Sequence, residues 1–470
     1  MSEEPGTSDS TRHIIDDHFT RFKLDFRVGQ GTFSNVYKAI DTETNEVLAL
    51  KCFIQEMKNV KRYHFAAREI AFMKILEHPN IVQLKSFEVN VEFVFIGTEF
   101  ASFGCLFRFL AKQKPLPEKF IQDVMKQSVS ALDYMHNLGV FHGDIKPHNI
   151  LCSGMNNFTP IVKICDFGLS EIKLKGKCMT FYSGSYLFMA PEVYLKQNVD
   201  VTCDLWSLGV VMYNMMFCRN LFNVDEDEVQ KTIRLVRCQT VPNYDGSEIY
   251  SANCNDLLRR LLIYDKTVRI QGATLRAHPF LRLEAPKTYE NGYFLERAQS
   301  HIASATNHAS NKKIADALVD GLQAQLELKI HYNLLRDEGQ RNYLVQKLEQ
   351  FQNFIYDVES KLSSTPELTR EAMEKGVTDA EFKTYLASTP KMLQGFDIGL
   401  RAEMFQMEHK YPKALELYHQ ALQILLPLMK AEPKSCRKEL LGRRLLQWIE
   451  AIEALTAAVD GGGSSHPVRN

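Results

Sequence analysis

The sequence predicts an α+β domain of bilobal order, followed by two all-α three-helix bundles. Two observations carry this. Strand patterns come first and helical ones second over residues 20–282, the order in which strands and helices segregate within one domain. The composition then changes after "AHPFL" (277–281), and from about 290 to 460 no convincing strand pattern appears.

Residues 1–19 are polar and acidic and read as a flexible tail, not as a signal peptide. From Phe22 to Lys51, β-branched and aromatic residues flank a Gly-containing turn, a strand pattern. An amphipathic helix is expected over 60–77, ending at "HPN". Short apolar strands follow at 81–87 and 91–100. Beyond "KPLPEKF" the pattern is mostly helical, with loops at 141–151 and 165–190. The run "LWSLGVVMYNMMF" (205–217) is broken by Asn214 and falls short of the ~20 apolar residues that cross a bilayer. It reads as a buried core helix.

The helical blocks are 291–363 and 391–460. The linker between them, 364–390, holds Ser/Thr-Pro punctuation and one Gly, with room for a short helix. A flexible tail is expected over 461–470.

A chain of 470 residues, 45% hydrophobic and 24% charged, has material for several buried cores. Its net charge of -1 gives no electrostatic reason to expect nucleic acid or an anionic membrane as a bulk partner. Ten cysteines show no CxxC pair, which argues against a disulfide framework or zinc module and for reduced thiols in a cytoplasmic protein.

The chemistry lies in the first 285 residues. "VGQGTFSNVYKA" (28–39) is a Gly-x-Gly turn between strands, a weak signal alone. Its glycines let backbone N–H groups approach a phosphate. Lys51 in "LALK" and Glu69 in "AREIAFMKIL" are unremarkable singly. With "HGDIKPHN" and "KICDFGLSE" added in order, the chain resembles the eukaryotic protein kinase family over 20–282. "GSYLFMAPE" (184–192), "DLWSLG" (204–209) and Arg269 in "DKTVRI" extend the match.

The resemblance implies ATP and Mg²⁺ as cofactors and protein as substrate. Val28, Gly29 and Gly31 would cover the phosphates, and Val36, Ala49 and Leu151 would sandwich the adenine. Thr98 aligns as gatekeeper, with Glu99 to Ala101 as hinge backbone. Lys51, oriented by Glu69, would hold the α/β-phosphates, and Asp166 and Asn149 would bind Mg²⁺. Asp144 would orient the acceptor hydroxyl and take its proton. Lys146 would stabilise developing negative charge; Lys at this place, with Ser185, is the Ser/Thr-specific pattern. Met73, Leu84, His142 and Phe167 match the apolar column joining the lobes. Glu192 and Arg269 match a buried ion pair, and Asp204 a clamp on the catalytic loop.

Four residues depart from the family pattern. Ser34 replaces the third loop glycine, and Cys105 stands where an Asp often contacts ribose. His148 replaces a common Glu, so no strong demand for Arg upstream of the acceptor is expected. Gly143 replaces the Arg that in many kinases pairs with a phosphate on the activation loop. The active loop conformation is therefore expected not to depend on that clamp, although Thr180, Tyr182 and Ser183 lie near Lys173, Lys175 and Lys177.

In "HKYPKALELYHQALQILLPLM", Tyr411, Ala414, Leu415, Tyr418, Ala421, Leu422 and Leu425 recur at helical steps and form one apolar face. A packed bundle without a partner accounts for this, and so does one tetratricopeptide unit, although that architecture stacks about three repeats. The phrase resembles the second helix of the microtubule-interacting-and-trafficking (MIT) domain, with 291–363 as a degenerate first copy. Kinase plus tandem MIT domains is similar to one branch of the unc-fifty-one-like kinases, relatives of the autophagy-initiation kinases. That resemblance implies binding to ESCRT-III subunit tails, and roles in abscission, membrane remodelling or autophagy. On this reading 290–460 is dispensable for generic activity. The rival is a pseudokinase scaffold that binds ESCRT-III tails without catalysis.

Overall fold

The structure is a computed structural model that describes residues 21–30, 34–54, 60–89, 93–111, 114–156, 159–181, 183–221, 249–290, 292–311, 313–362, 378–386, 389–407, 410–431 and 436–461. Strands β1 (Phe22–Gln30), β2 (Asn35–Asp41), β3 (Val47–Ile54), β4 (Leu84–Val89) and β5 (Phe93–Glu99) form an antiparallel sheet in the order β1-β2-β3-β5-β4. Helix α1 (Val60–Ile75) comes between β3 and β4 in the chain.

The register separates two faces. Tyr37 lies opposite Leu50, Ala39 opposite Leu48 and Cys52 opposite Phe95. All six are buried in one apolar cluster. Side chains alternate along a strand, and directly opposed residues share a face. Val36 opposes Lys51 and Ala49 opposes Thr98, so Val36, Ala49, Lys51 and Thr98 lie together on the other face. The two-residue period of these strands, rather than polarity, thus sorts core residues from site residues: Val36 and Ala49 on the site face are as apolar as the residues of the core face.

The next part is mainly helical: α2 (Phe107–Leu110), α3 (Glu118–Asn137), α4 (Pro191–Tyr194), α5 (Thr202–Phe217), α6 (Ala252–Leu261) and α7 (Gly272–Arg276). Helix α5 contains the run expected to be a core helix, and Thr202 through Met216 are all buried. Four short strands were not anticipated: β6 (Val140–Phe141), β7 (Ile150–Asn156), β8 (Thr159–Ile164) and β9 (Glu171–Ile172). β6 pairs with β9, and β7 with β8. The expected loop at 141–151 therefore carries strand at both ends, and the one at 165–190 carries the short strand β9 within it. Two-residue strands show no alternation to read, and "ILC" and "IVKI" are too short for their period to be distinguished.

Contacts divide the chain into two compact units, one containing 61–355 and the other 356–470. The first also holds α8 (Tyr293–Ser310), α9 (Ile314–Leu334) and most of α10 (Glu338–Leu362). Ala298, Leu328, Tyr332, Leu344 and Leu348 pack these three helices together.

The second unit holds α11 (Asp379–Leu386), α12 (Pro390–Met407), α13 (Tyr411–Ala431) and α14 (Cys436–Gly461). The short helix anticipated in the linker is α11, and it joins the core: its Phe382 ring meets Phe396 edge-on at 5.2 Å. Gly399 lets α12 approach α14, since a β-carbon there would stand 2.0 Å from the Trp448 ring. Ala414, Tyr418, Ala421 and Leu425 are buried in this core, as the helical period requires.

Candidate active site

The site forms where the sheet face bearing Lys51 meets α1 and the loops after β6 and β8. Lys51 Nζ is 2.8 Å from Glu69 Oε1 on α1 and 3.0 Å from Asp166 Oδ1. Burial opposes the charge on Lys51, but the two carboxylates outweigh it and its pKa lies above the ordinary ammonium value. Glu69 is buried and its pKa is raised, chiefly by desolvation, although Lys51 pulls the other way. Asp166 feels desolvation too, but Lys51 prevails and its pKa falls below the usual carboxylate range. The charges therefore favour an ionised Lys51–Asp166 pair.

Asp166 takes a left-handed backbone conformation, φ 69°, which turns its side chain out of the strand line. Its side chain is 42% exposed, so it faces an accessible space. The following Gly168 packs under α1: a β-carbon there would lie 2.5 Å from the Phe65 ring. Phe167 is buried and meets the His142 ring edge-on at 5.3 Å. Met73 is also buried, and Leu84 is half-buried opposite Thr98.

The loop after β6 is held by side chains packed against it. Asp204 accepts the backbone N–H groups of His142 at 2.8 Å and Gly143 at 2.9 Å, and its carboxylate lies 2.9 Å from His136 Nε2. Asn149 Nδ2 donates to the Asp144 carbonyl at 2.9 Å and to its carboxylate at 3.1 Å. The Cys165 N–H donates to the Asn149 carbonyl at 3.0 Å, which sets Asp166 beside this loop. Lys146 Nζ donates to Asp144 Oδ2 at 2.7 Å and to Ser185 Oγ at 2.9 Å, and the Ser185 N–H donates to Asp144 Oδ1 at 2.9 Å. Asp144, Lys146, Asn149 and Ser185 thus form one hydrogen-bonded group.

At the other end, Thr98 Oγ1 is 3.4 Å from the Ala49 carbonyl. Leu151 bridges to Cys105, and the Cys152 N–H donates to Gly104 at 2.7 Å, fixing Leu151 near the segment that follows Glu99 and Ala101. Glu99 points its carboxylate to Lys163 at 2.9 Å, so only its backbone is left for a ligand. Gly29 lies opposite Val36, and Val28 is half-buried. Gly31 and Tyr182 lie outside the described residues. Glu192 and Arg269 form a buried two-pronged pair, at 2.7 and 3.0 Å.

Sequence reasoning missed two contacts. Phe181 packs beneath Gly143, and Asn333 of α9 bonds to the segment after β9. The first has a signal in the unusual Gly, although the motif by itself shows only a lost Arg. The second had none, because the contact is 160 residues apart in the chain.

The fold and this site define a protein kinase. The family described as "Protein kinase domain" matches residues 22–281. The chain is 31% identical to serine/threonine-protein kinase ULK3 of Homo sapiens over 446 residues, 93% of this chain and 91% of that protein. It is 31% identical to ULK3 of Mus musculus over 89% of this chain and 88% of that protein, and 30% identical to ULK3 of Xenopus laevis over the same shares. The chain belongs to the ULK3-like family of serine/threonine protein kinases.

Proposed function

We propose that this kinase moves the γ-phosphate of ATP to Ser or Thr hydroxyls of proteins, with residues in the roles their geometry allows. The supporting observation is Lys51 Nζ within 3.0 Å of both Glu69 and Asp166. Lys51 orients phosphate, and Glu69 fixes Lys51 in place. Asp144 aligns the incoming hydroxyl and accepts its proton, while Lys146 offsets the growing negative charge on the oxygens. Ser185 holds Lys146 and Asp144 in one register.

Asp166 and Asn149 fit Mg²⁺: they offer hard oxygen donors, and the Asp166 carboxylate is partly accessible and low in pKa. Two protein ligands suit this ion, which keeps waters and phosphate oxygens in its other positions. Bound there, it would neutralise phosphate charge. Val36, Ala49 and Leu151 would enclose the adenine, with Thr98, Glu99 and Ala101 along its edge, and Val28 and Gly29 would lie over the phosphates.

The second part of the proposal is recruitment in the cytoplasm. Residues 391–460 act as an MIT domain that binds ESCRT-III tails, with 291–363 as a divergent copy. Support comes from a groove of about 510 Å³ between α12, α13 and α14, lined by Met407, Tyr411, Tyr418, Trp448 and Leu455. Met407 is 79% exposed, an apolar side chain free to meet a partner. Tethering raises the local concentration of substrates, so weak specificity at the active site suffices. The test is binding of ESCRT-III tail peptides to full-length protein and to Met407→Asp. Loss in the variant supports the reading. Wild-type protein that binds no tail overturns the recruitment and leaves the kinase assignment standing.

A further inference from the structure

Helix α9 buries five polar or charged side chains: Asp320, Gln323, Gln325, Glu327 and His331. Burying such groups is costly unless each has a partner. Most partners lie on α8 and α10. Glu327 pairs with Arg297 at 2.9 Å, Gln323 bonds to His301 at 2.9 Å, and Gln325 bonds to Gln352. Asp320 accepts from Ser304 at 2.6 Å and lies 3.1 Å from His308. Its other carboxylate oxygen lies 3.5 Å from Lys74 Nζ. Lys74 is on α1, the helix that carries Glu69.

A second anchor lies at the far end of α9. The Asn333 side chain accepts the Lys175 N–H at 2.9 Å and donates to the Lys173 carbonyl at 3.0 Å and the Leu138 carbonyl at 3.4 Å. Gly139, φ 77°, makes the approach possible, since a β-carbon there would fall 2.0 Å from Asn333 Nδ2. Tyr332 Oη donates to the Lys175 carbonyl at 3.3 Å, and Leu174 packs against the apolar cluster that includes Leu328, Tyr332 and Leu335. The Lys173 N–H in turn donates to Gly139 at 2.9 Å, beside β6 and the catalytic loop. Arg68 of α1 closes the circuit, donating to the Ser170 carbonyl at 2.8 Å and pairing with Glu171.

We infer that α9 is a positioning element of the kinase: through Asp320 and Asn333 it fixes α1 and residues 170–175, which carry or follow Glu69 and Asp166. Both sides of the Lys51 triad are then held by one helix from beyond the family domain. Asn333 and Lys74 are positioning residues that never touch substrate. Phosphoryl transfer depends on alignment, so looseness here is read as kcat and not as peptide affinity. The region after 290 is on this account part of the catalytic unit as far as α9, which revises its expected dispensability.

The test uses the full-length chain and a short Ser/Thr peptide. Asn333→Ala removes three hydrogen bonds, Asn333→Trp blocks the slot beside Gly139, and Lys74→Glu reverses one charge. Each is expected to lower kcat about five- to tenfold, with peptide KM within about twofold. Hydrogen exchange at the Lys175 amide and across β6 and β9 should quicken in both Asn333 variants. Adding Asp320→Lys to Lys74→Glu should recover most of the loss. Wild-type kcat in Asn333→Trp, with α9 docked or released, overturns the inference. So does a fall in kcat that only tracks the folded fraction in a thermal melt. A wild-type chain that transfers no phosphate would instead contradict the catalytic reading, and the exchange data would still decide the docking.

Discussion

Phe181 fills the space into which a side chain on Gly143 would grow. A β-carbon at Gly143 would stand 2.8 Å from the Phe181 ring and 3.0 Å from the Leu169 carbonyl oxygen. Phe181 also meets Phe141 edge-on at 5.3 Å. An apolar contact thus joins the activation segment to the catalytic loop at the point where a phosphate–Arg clamp would otherwise act. The φ of 79° at Gly143 adds a cost of about 1–2 kcal/mol for any L side chain. Gly143→Arg should therefore lower the thermal midpoint and cut kcat at least tenfold, and Phe181→Ala should also lower kcat. Phosphatase-treated wild-type protein should keep most of its activity. A near-total loss on dephosphorylation would show that a phosphate, not Phe181, orders the segment.

Lys51→Met removes the cation that Glu69 and Asp166 share. The two carboxylates then repel each other in a partly buried space. A loss of kcat of ~10³-fold or more is expected, with folding retained. Glu69→Gln keeps the shape and one hydrogen bond, so its loss should be about 10- to 100-fold. Steady-state kinetics on both variants decide this, and equal losses would mean that Glu69 does more than orient Lys51.

Arg269 is fully buried and also donates to the carbonyls of Thr202 and Ile263, at 2.8 and 3.1 Å. Arg269→Ala would leave Glu192 charged and unpaired in the core. Breaking a buried pair in this way costs about 3–5 kcal/mol. Denaturant unfolding of this variant should show that loss; a change below about 1 kcal/mol would mean water reaches Glu192.

His78 must stay neutral in the native state. Its Nδ1 accepts the Asn80 N–H at 3.0 Å, and Nε2 lies 3.1 Å from Ser130 Oγ. Burial, helped by Lys163, lowers its pKa from 6.5 to about 4. The unfolded chain then binds this proton first as pH falls, so stability drops from near pH 6.5 toward about pH 4. His78→Asn keeps an acceptor but cannot titrate there. Its stability curve between pH 7 and pH 5 should be flatter than that of wild type. Parallel curves would assign the acid sensitivity to other groups.

The candidate site was legible because its proposed residues sit in short motifs whose order survives in the linear chain. Lys51, Glu69, Asp144, Lys146, Asn149 and Asp166 each stand next to a recognisable neighbour. The helices from 391 onward were legible from period alone, because α12, α13 and α14 bury regular apolar faces. The docking of α9 was not. Asp320, Gln323 and Glu327 look like solvent-facing positions in sequence, and only their partners on α8 and α1 make them buried. The role of Gly143 was half visible: a missing Arg can be read from the motif, but the ring that replaces it comes from a residue 38 positions on.

Removing Asp166 tests most directly whether the Lys51–Glu69–Asp166 arrangement supports phosphoryl transfer. Wild-type protein and Asp166→Ala should be incubated with Mg²⁺, labelled ATP and a generic Ser/Thr acceptor. Clear incorporation by wild type is expected, with about a thousandfold less by the variant. Equal incorporation in the two would contradict it.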